Sequence, residues 1–351
     1  MSALSGNIQT VLGLIEPSKA GLTLPHEHLS LDFGCSQVKL PQGDKFHDLV
    51  TASVRQENLW WIAQHPYSNV NNLKYLEEHD AVIEEIKFFK SNGGGTIVEN
   101  TTVGIKPDRQ FYKEIAQRTG VNIVSGTGFY VEPFRKDTVD LTVEMMADVM
   151  MRDILNGCEE TSDIKSGIIG EIGCSFPLAD SERKAVQAAG HMQKELGCPV
   201  IFHPGRNPHS PGEITRLYQE AGGDVEKLVM SHLDRTIPTI PELLEFAELG
   251  GYCEFDMFGI ELSFYQMNES YDMPSDMERI RRIKGLLEAG FGDKVLISHD
   301  VHTKHRLMKY GGHGFSHILL NIIPRMLKRG ITQEAIDKIV KENPQRWLTF
   351  K

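Results

Sequence analysis

The chain has 351 residues, of which 40% are hydrophobic and 24% are charged, and its formal net charge is -11. This composition is typical of a globular enzyme, and one α/β barrel can use the whole length. The acidic charge is spread along the chain and argues against nucleic acid or an anionic membrane as a partner. We find neither a signal-peptide pattern in residues 1–10 nor an apolar run near the roughly 20 residues needed to span a bilayer.

The cysteines indicate a reducing compartment. There are five, an odd number, and no two of them form a CxxC motif. A disulfide framework or a zinc ribbon is therefore not expected, and we predict a cytoplasmic protein. The cysteines are Cys35, Cys158, Cys174, Cys198 and Cys253.

The N-terminal part predicts a short hairpin followed by an irregular stretch. Residues 7–24 read as a β-hairpin with a turn at 16–19, and the chain then enters a strand that carries His26 and His28. Residues 30–75 show no periodicity but contain aromatic side chains. A long insertion of this kind either covers a site or packs locally.

From residue 76 onward, predicted helices and strands alternate. The predicted strands are 96–100, 122–128, 167–171, 200–203, 228–232, 252–256 and 294–300. The predicted helices are 76–91, 108–119, a segment through Met145 to Leu155, 180–196, 212–221, 239–249, 275–289, 314–328 and 332–342. With the strand at His26, this is the pattern of a (β/α)8 TIM barrel. The alternative, an open doubly wound sheet, predicts a GxGxxG turn that we do not find after the first strand. Because no break in composition marks a boundary, we predict a single domain over residues 1–351.

The motif His26-Glu27-His28 indicates a metal site. Successive side chains of a strand point to opposite faces, so the two histidines point the same way and Glu27 the other way. Two neighbouring imidazoles can bind one divalent ion. The alternative is a histidine-rich strand end without a metal.

Four more candidate ligands lie at the ends of predicted strands four, five, six and eight. They are Glu171, His203, His232 and Asp300. A single strand-end histidine is often only hydrogen-bonded, and a single carboxylate often caps a helix. In a barrel, however, all these groups would lie at the C-terminal ends of the strands, where barrel active sites are found. Four imidazoles and two carboxylates exceed one tetrahedral zinc site and suit two divalent ions with a bridging carboxylate.

The sequence resembles the amidohydrolase superfamily, and within it the phosphotriesterase family, from about residue 8 to the C-terminus. The motifs that carry the resemblance are TLPHEHL (23–29), GIIGEIGCS (167–175), IFHPGR (201–206), VMSHLDR (229–235), ISHD (297–300) and YGGHGFSH (310–317). The resemblance implies a ligand set. It consists of His26, His28 and Asp300 for a more buried ion, His203 and His232 for a more exposed ion, and Glu171 as the bridge.

One position departs from the bacterial phosphotriesterases, which bridge their metals with a carboxylated lysine. Here Glu171 occupies the bridging position, and the nearby Lys165 precedes the strand. Organophosphate specificity therefore does not transfer with the resemblance. The mixed imidazole and carboxylate ligands predict Zn²⁺, with Mn²⁺ or Co²⁺ as alternatives.

The expected chemistry is hydrolysis. Two ions that share a water lower its pKa and provide a hydroxide near neutral pH, and the more exposed ion stabilises the developing negative charge. Asp300 is placed to accept a proton and to pass it to the leaving group. This catalytic carboxylate argues against a non-catalytic, metal-binding scaffold.

The substrate is predicted to be a small anion. Arg206 and Arg235 each follow a candidate histidine by three residues, and arginine binds carboxylate, sulfonate or phosphate. Alternatively, each arginine pairs with a rim acid such as Asp234. Tyr130, Phe258 and the 302–317 loop are weaker candidates for substrate contacts.

The resemblance implies the amide of an N-acyl amino acid or N-acyltaurine, with N-acetyltaurine favoured. A lactonase or phosphotriesterase using the same site is the alternative. The sequence is compatible with a homo-oligomer.

Overall fold

The computed structural model describes residues 4–261 and 265–351 and contains an eight-stranded parallel barrel. Neighbouring strands follow chain order around it, which distinguishes a barrel from a doubly wound sheet. The barrel is nearly closed, since the Asp300 amide beyond the last strand donates to the His26 carbonyl of the first at 3.2 Å. The strands are β3 Leu22–Glu27, β4 Gly94–Glu99, β5 Asn122–Thr127, β6 Ile168–Gly173, β7 Val200–His203, β8 Leu228–Met230, β9 Tyr252–Phe255 and β10 Val295–Ile297.

Helices cover the outside of the barrel and pack apolar side chains against the strands. The α-helices are α1 Leu59–Ile62, α2 His79–Ser91, α3 Arg109–Thr119, α4 Val143–Leu155, α5 Asp180–Leu196, α6 Ser210–Glu220, α7 Leu233–Thr236, α8 Ile240–Ala247, α9 Asp276–Glu288, α10 Ile323–Lys328, α11 Gln333–Asp337 and α12 Asn343–Leu348. Along residues 4–261 and 265–351, no helix combines the length and apolarity that a membrane crossing requires.

The N-terminal hairpin is shorter than predicted. It comprises β1 Ile8–Thr10 and β2 Gly13–Ile15, which pair antiparallel. The turn lies at residues 11–12, where the Thr10 hydroxyl donates to the Gly13 carbonyl at 2.8 Å and Gly13 has φ +115°. The predicted turn at residues 16–19 is instead a short 3₁₀ segment that leads into the barrel.

Two predicted helix boundaries are also wrong. The helix predicted over 314–328 begins at Ile318, and the helix predicted over 332–342 continues to Leu348. In both, a π-helical turn immediately precedes a residue followed by proline, Pro324 or Pro344. The wider π-helical turn accommodates the proline, which has no backbone N–H group to donate to the preceding turn.

The barrel interior is divided into an apolar lower part and a polar upper part. Ile8 of the hairpin and Trp347 of α12 close the N-terminal end of the barrel, where they pack against inward side chains such as Val229 and Leu296. The candidate ligands lie above this layer, at the C-terminal end.

The irregular stretch 30–75 contains short 3₁₀ turns and α1. Its aromatic residues divide between the two predicted roles. Trp61 packs in a local cluster with Val54 and Ile62, and Trp60 is 59% exposed. Tyr67 instead reaches the cavity above the candidate ligands.

Candidate metal centre and active site

Three candidate ligands meet where the first and last barrel strands approach each other. His26 lies near the end of β3, His28 lies one residue beyond it, and Asp300 lies three residues beyond β10. The His28 Nε2 is 3.3 Å from the Asp300 Oδ1, and the His26 Nε2 is 4.0 Å from the same oxygen. All three side chains are buried.

Glu171 lies inside β6 rather than at its end, where it was predicted. The preceding Gly170 has φ +120°, and a Cβ there would come within 2.2 Å of the Ile201 carbonyl oxygen, so only glycine fits. The register of β6 on β7 shifts between Ile169 and Ile172, and this irregularity includes Glu171.

The Glu171 carboxylate lies between the two groups of candidate ligands. Its Oε1 is 3.5 Å from the His28 Nε2, and its Oε2 is 2.9 Å from the His203 Nδ1. His203 ends β7, and His232 follows β8 by two residues with φ +56°. The His203 Nδ1 and the His232 Nε2 are 2.8 Å apart.

The protein environment keeps the two carboxylates charged. Burial alone would raise their pKa values, but neighbouring histidines outweigh burial and hold the pKa of Glu171 and of Asp300 well below the usual range. Burial lowers the pKa of His203 to about 3, whereas hydrogen bonds to Asp300 and Glu171 overcome burial and raise the pKa of His28 to about 9. Charged carboxylates beside imidazoles are the donors that divalent ions prefer, and metal binding displaces protons from such histidines.

One atom is suited to bind a cation. The His26 Nε2 is buried and has no hydrogen-bond partner among the described residues, and it points at the carboxylates of Glu171 and Asp300. Leaving a buried polar atom unpaired costs roughly 1–3 kcal/mol. Donor atoms within 4.8 Å of one another occur in the group His26, Glu171 and His232 and in the group His26, His28 and Asp300.

Two acids on β9 and just after it, not singled out from the sequence, support the histidines from below. The Asp256 Oδ1 is 2.8 Å from the His232 Nδ1, and its Oδ2 is 3.3 Å from the His26 Nδ1. The Glu254 Oε2 is 3.2 Å from the same His26 nitrogen, and burial raises the pKa of Glu254 well above the usual range. The signal that could have revealed them is two acids at alternate positions in an otherwise apolar strand.

A small cavity lies above the candidate ligands. Its volume is about 20 Å³, which is room for about one water molecule. Besides the ligands, the residues that line it are Phe33, Tyr67, Tyr130, Arg206, Arg235, Met257, Tyr265 and His302.

The two predicted arginines both reach this cavity but have different partners. The Arg206 Nε donates to the Tyr265 hydroxyl at 3.0 Å, and its guanidinium lies 5.5 Å from the centre of that ring. Arg235 donates to the Pro204 carbonyl at 3.1 Å and lies 3.2 Å from the His203 Nε2. Neither arginine pairs with Asp234 as the alternative predicted, because Asp234 pairs with Arg279 at 2.7 Å.

The weaker candidates separate clearly. The Tyr130 hydroxyl is 3.4 Å from the His203 Nδ1 and lines the cavity. Phe258 is fully buried beside Arg279 and does not line it.

Within the 302–317 loop, only His302 reaches the cavity. Its Nδ1 is 2.9 Å from the Asp300 Oδ2, and its Nε2 is 2.9 Å from the Tyr67 hydroxyl.

Tyr265 also lines the cavity and accepts the hydrogen bond from Arg206, but it was not predicted from the sequence.

A parallel barrel with buried imidazoles and carboxylates at the C-terminal ends of its strands is the arrangement of metal-dependent hydrolases. Comparison with known proteins agrees with this class. The sequence profile of the Phosphotriesterase family matches residues 6–348, and the chain belongs to that family, whose members are binuclear metal hydrolases.

Full-length relatives and a solved structure support this assignment. The N-acetyltaurine hydrolases of Homo sapiens and Pongo abelii are each 54% identical over 352 residues, covering 100% of both chains. The crystal structure of a resiniferatoxin-binding protein from Rhodobacter sphaeroides is 32% identical with a TM-score of 0.94, and the match covers 99% of this chain and 98% of that one. The predicted barrel and family are therefore confirmed.

Proposed function

We propose that this protein hydrolyses the amide bond of N-acetyltaurine to acetate and taurine. The observation that carries the proposal is the convergence of six buried imidazole and carboxylate side chains around the unpartnered His26 Nε2. The substrate is supported by the full-length similarity to N-acetyltaurine hydrolases.

In this proposal two divalent ions are held by the sequence-predicted ligands. The distances support one position at His26, His28 and Asp300. They support a second at His203 and His232, with Glu171 shared between the two. We propose Zn²⁺ as the native ion because mixed imidazole and carboxylate ligands suit it, with Mn²⁺ or Co²⁺ as alternatives.

When bound, such ions activate a water as the nucleophile and polarise the scissile carbonyl group. Asp300 then acts as the proton carrier. Its pKa lies below the usual range, so the group is ionised, and an ionised carboxylate has a free oxygen lone pair for a proton of the attacking water. The leaving amine of an amide needs a proton, and the same carboxyl can supply it. The contact of 2.9 Å with the His302 Nδ1 fixes the orientation of this carboxylate.

We propose that Arg206 binds the sulfonate of the substrate. Apart from the bond from its Nε to Tyr265, Arg206 makes no hydrogen bond with the described residues, so its terminal N–H groups are available to an anion. Arg235 donates to Pro204, Thr236 and His203, which suits a role in fixing the His203 ring. Tyr130 forms a wall of the same cavity.

The cavity has to enlarge for this substrate. A volume of about 20 Å³ accommodates about one water, and N-acetyltaurine is much larger. Arg206 and Tyr265 line the cavity and are hydrogen-bonded to each other, so their displacement by the sulfonate would open it.

The cytoplasmic location, the single domain over residues 1–351 and a homo-oligomer stay predictions.

The decisive experiment combines metal analysis with turnover. We expect about two ions per chain, and hydrolysis of N-acetyltaurine that is lost on chelation and restored by Zn²⁺. We expect Asp300→Asn to lose turnover even when Zn²⁺ is supplied in enough excess to fill both positions. An Asp137→Asn variant of an exposed acid should behave like the wild-type protein. Turnover of a lactone or a phosphotriester but not of N-acetyltaurine would contradict the proposed substrate. Absence of metal would contradict the proposed site.

A further inference from the structure

Glu254 is a buried acid in the barrel interior, directly beneath the candidate metal centre. It lies on β9 between Tyr252, which packs in the apolar layer that closes the barrel, and Asp256, which contacts the candidate ligands. Its side chain has no exposed surface, and in the part of the chain that the structure describes no lysine or arginine forms an ion pair with it. A carboxyl group in this position is costly to bury unless it has a specific partner.

The partner of Glu254 is the His26 Nδ1, the ring nitrogen that faces away from the other candidate ligands. Its Oε2 lies 3.2 Å from the His26 Nδ1, and its Oε1 has no hydrogen-bond partner among the described residues. A neutral imidazole that uses Nε2 to bind a metal carries its proton on Nδ1 and needs an acceptor there. Glu254 supplies that acceptor, and so orients the ring with Nε2 toward Glu171 and Asp300.

The supports of the candidate ligands are not equivalent. Asp256 reaches the Nδ1 of both His232 and His26, at 2.8 and 3.3 Å. The His28 Nδ1 is 2.9 Å from the Thr101 hydroxyl. Among the six candidate ligands, Glu254 contacts only His26.

We propose that Glu254 is a positioning residue for one of the two metal positions, the one held by His26, His28 and Asp300. Its removal lowers the affinity of that position and leaves the position at His203 and His232 intact, whereas Asp256 supports both. This inference deepens the proposed function and rests on its metal assignment.

A third ion is the competing explanation for two acids beside one histidine. The donor atoms of His26, Glu254 and Asp256 lie within 4.8 Å of one another. An ion there would need the His26 Nδ1 free of its proton, and it would compete for the Asp256 carboxylate with His232. Positioning needs neither change.

The test measures metal affinity at each position. Metal-free wild-type protein, Glu254→Met and Glu254→Gln are titrated with Zn²⁺ against a chelating dye, and bound metal is counted by elemental analysis. We expect two ions in the wild-type protein. In Glu254→Met one position should weaken by roughly 10–100-fold, the usual effect of losing such a support, while the other is unchanged. Glu254→Gln should recover most of the loss, because its amide oxygen still accepts from the His26 Nδ1.

Two controls define the effect. Glu85→Met removes another buried glutamate with one unpartnered oxygen, on α2 and outside the metal centre, and should leave both affinities unchanged. Asp256→Asn should weaken both positions. Circular dichroism and the melting temperature of the metal-free proteins establish that each variant is folded. If Glu254→Met does not fold, Glu254→Asp replaces it, since the shorter side chain withdraws the acceptor with a smaller change in packing.

Several results would overturn the inference. These are wild-type affinity at both positions in folded Glu254→Met or Glu254→Asp, equal weakening of both positions, and a third ion per chain that disappears with Glu254. A wild-type protein without metal would instead contradict the proposed function itself, so the two failures can be told apart.

Discussion

At the scale of single residues, the backbone conformation of two candidate ligands is as important as their identity. His232 and Asp300 have φ values of +56° and +52°, in the left-handed region that residues other than glycine rarely adopt. Each conformation is held by a hydrogen bond from the residue's own amide, from His232 to the Asp256 carboxylate and from Asp300 to the His26 carbonyl. Such positions cluster at functional sites, where surrounding contacts offset about 1–3 kcal/mol of strain.

Arg206 provides a test of substrate recognition. We expect Arg206→Gln to raise KM for N-acetyltaurine by roughly 10–100-fold, because a charge-assisted hydrogen bond contributes about 1.5–3 kcal/mol. The value of kcat should change much less, since the guanidinium does not contact the candidate metal ligands. Steady-state kinetics measure both constants.

The matched substrate for this test is N-ethylacetamide, which has the same amide but no sulfonate. Its hydrolysis should not depend on Arg206. Equal losses for the charged and neutral substrates would show that the variant disturbs the site in general, and would contradict the assignment.

Glu85 predicts a pH-dependent change in stability away from the site. Burial raises its pKa from 4.5 to about 7, although backbone amides such as that of Met308 donate to it. Between these values the folded state binds the proton more tightly than the unfolded state. The contribution of Glu85 to stability is therefore present below pH 4.5 and is lost as the pH rises to about 7.

Glu85→Gln should remove this loss. We expect the variant to exceed the wild-type protein in free energy of unfolding at pH 8 by up to about 3 kcal/mol, the equivalent of the pKa shift, and to show a smaller gain at pH 5. Urea denaturation of both proteins at both pH values measures the difference, in which effects common to the two proteins cancel. An equal difference at pH 5 and pH 8 would argue against titration of Glu85.

At the scale of elements, the C-terminal segment closes the barrel. Trp347 of α12 is fully buried against the inward side chains of the strands, and its indole N–H donates to the Lys227 carbonyl at 3.1 Å. The Lys227 ammonium donates in return to the carbonyls of Arg346 and Trp347 at 2.8 and 2.9 Å. These contacts tie the last helix to the barrel wall just before β8.

Shortening the Trp347 side chain should destabilise the fold without altering the metal centre. Trp347→Ala is expected to cost about 3–5 kcal/mol, the usual effect of removing a buried aromatic side chain. Trp60→Ala is the control, because that side chain is 59% exposed, and its effect should lie within about 0.5 kcal/mol. Denaturant unfolding gives both values, and a small effect at Trp347 would mean that the end of the barrel is closed by other contacts.

At the scale of the whole molecule, the candidate metal centre joins the two ends of the barrel sheet. His26 and His28 belong to the first barrel strand and its end, and Asp300 follows the last. Across this seam the Asp300 backbone amide donates a hydrogen bond to the His26 carbonyl. Ions bound here would therefore strengthen closure of the barrel in addition to their chemistry.

Metal removal should lower the melting temperature. A ligand present at about 100 times its Kd stabilises a protein by about 2.7 kcal/mol, which corresponds to several degrees for a chain of this size. Calorimetry with chelator, and again after adding Zn²⁺, should show a loss and a recovery. An unchanged melting temperature after both ions are removed would contradict a role of the metals in closure.

Much of the fold and of the site could be predicted because the relevant physics is local. Alternating helical and strand periodicities specify the barrel, since each strand needs a helix to cover its outer face. Polar residues at the end of an apolar strand or just after it, such as His203 and His232, lie at one end of the barrel because parallel strands all point the same way.

What only the tertiary structure decided depends on distances across the barrel. Arg206 and Arg235 each follow a histidine by three residues, but their partners differ. Arg206 is hydrogen-bonded to the Tyr265 hydroxyl, whereas Arg235 is hydrogen-bonded to the His203 Nε2. In the sequence, Glu254 and Asp256 look like any two acids at alternate positions of a strand. The structure shows that the curved sheet brings them beneath His26, where both contact its Nδ1. The sequence by itself determines the face and the end of the barrel at which a side chain lies, because residue geometry sets both. Strand register, backbone dihedral angles and closure of the barrel determine what it touches, and those arise only when the whole chain has packed.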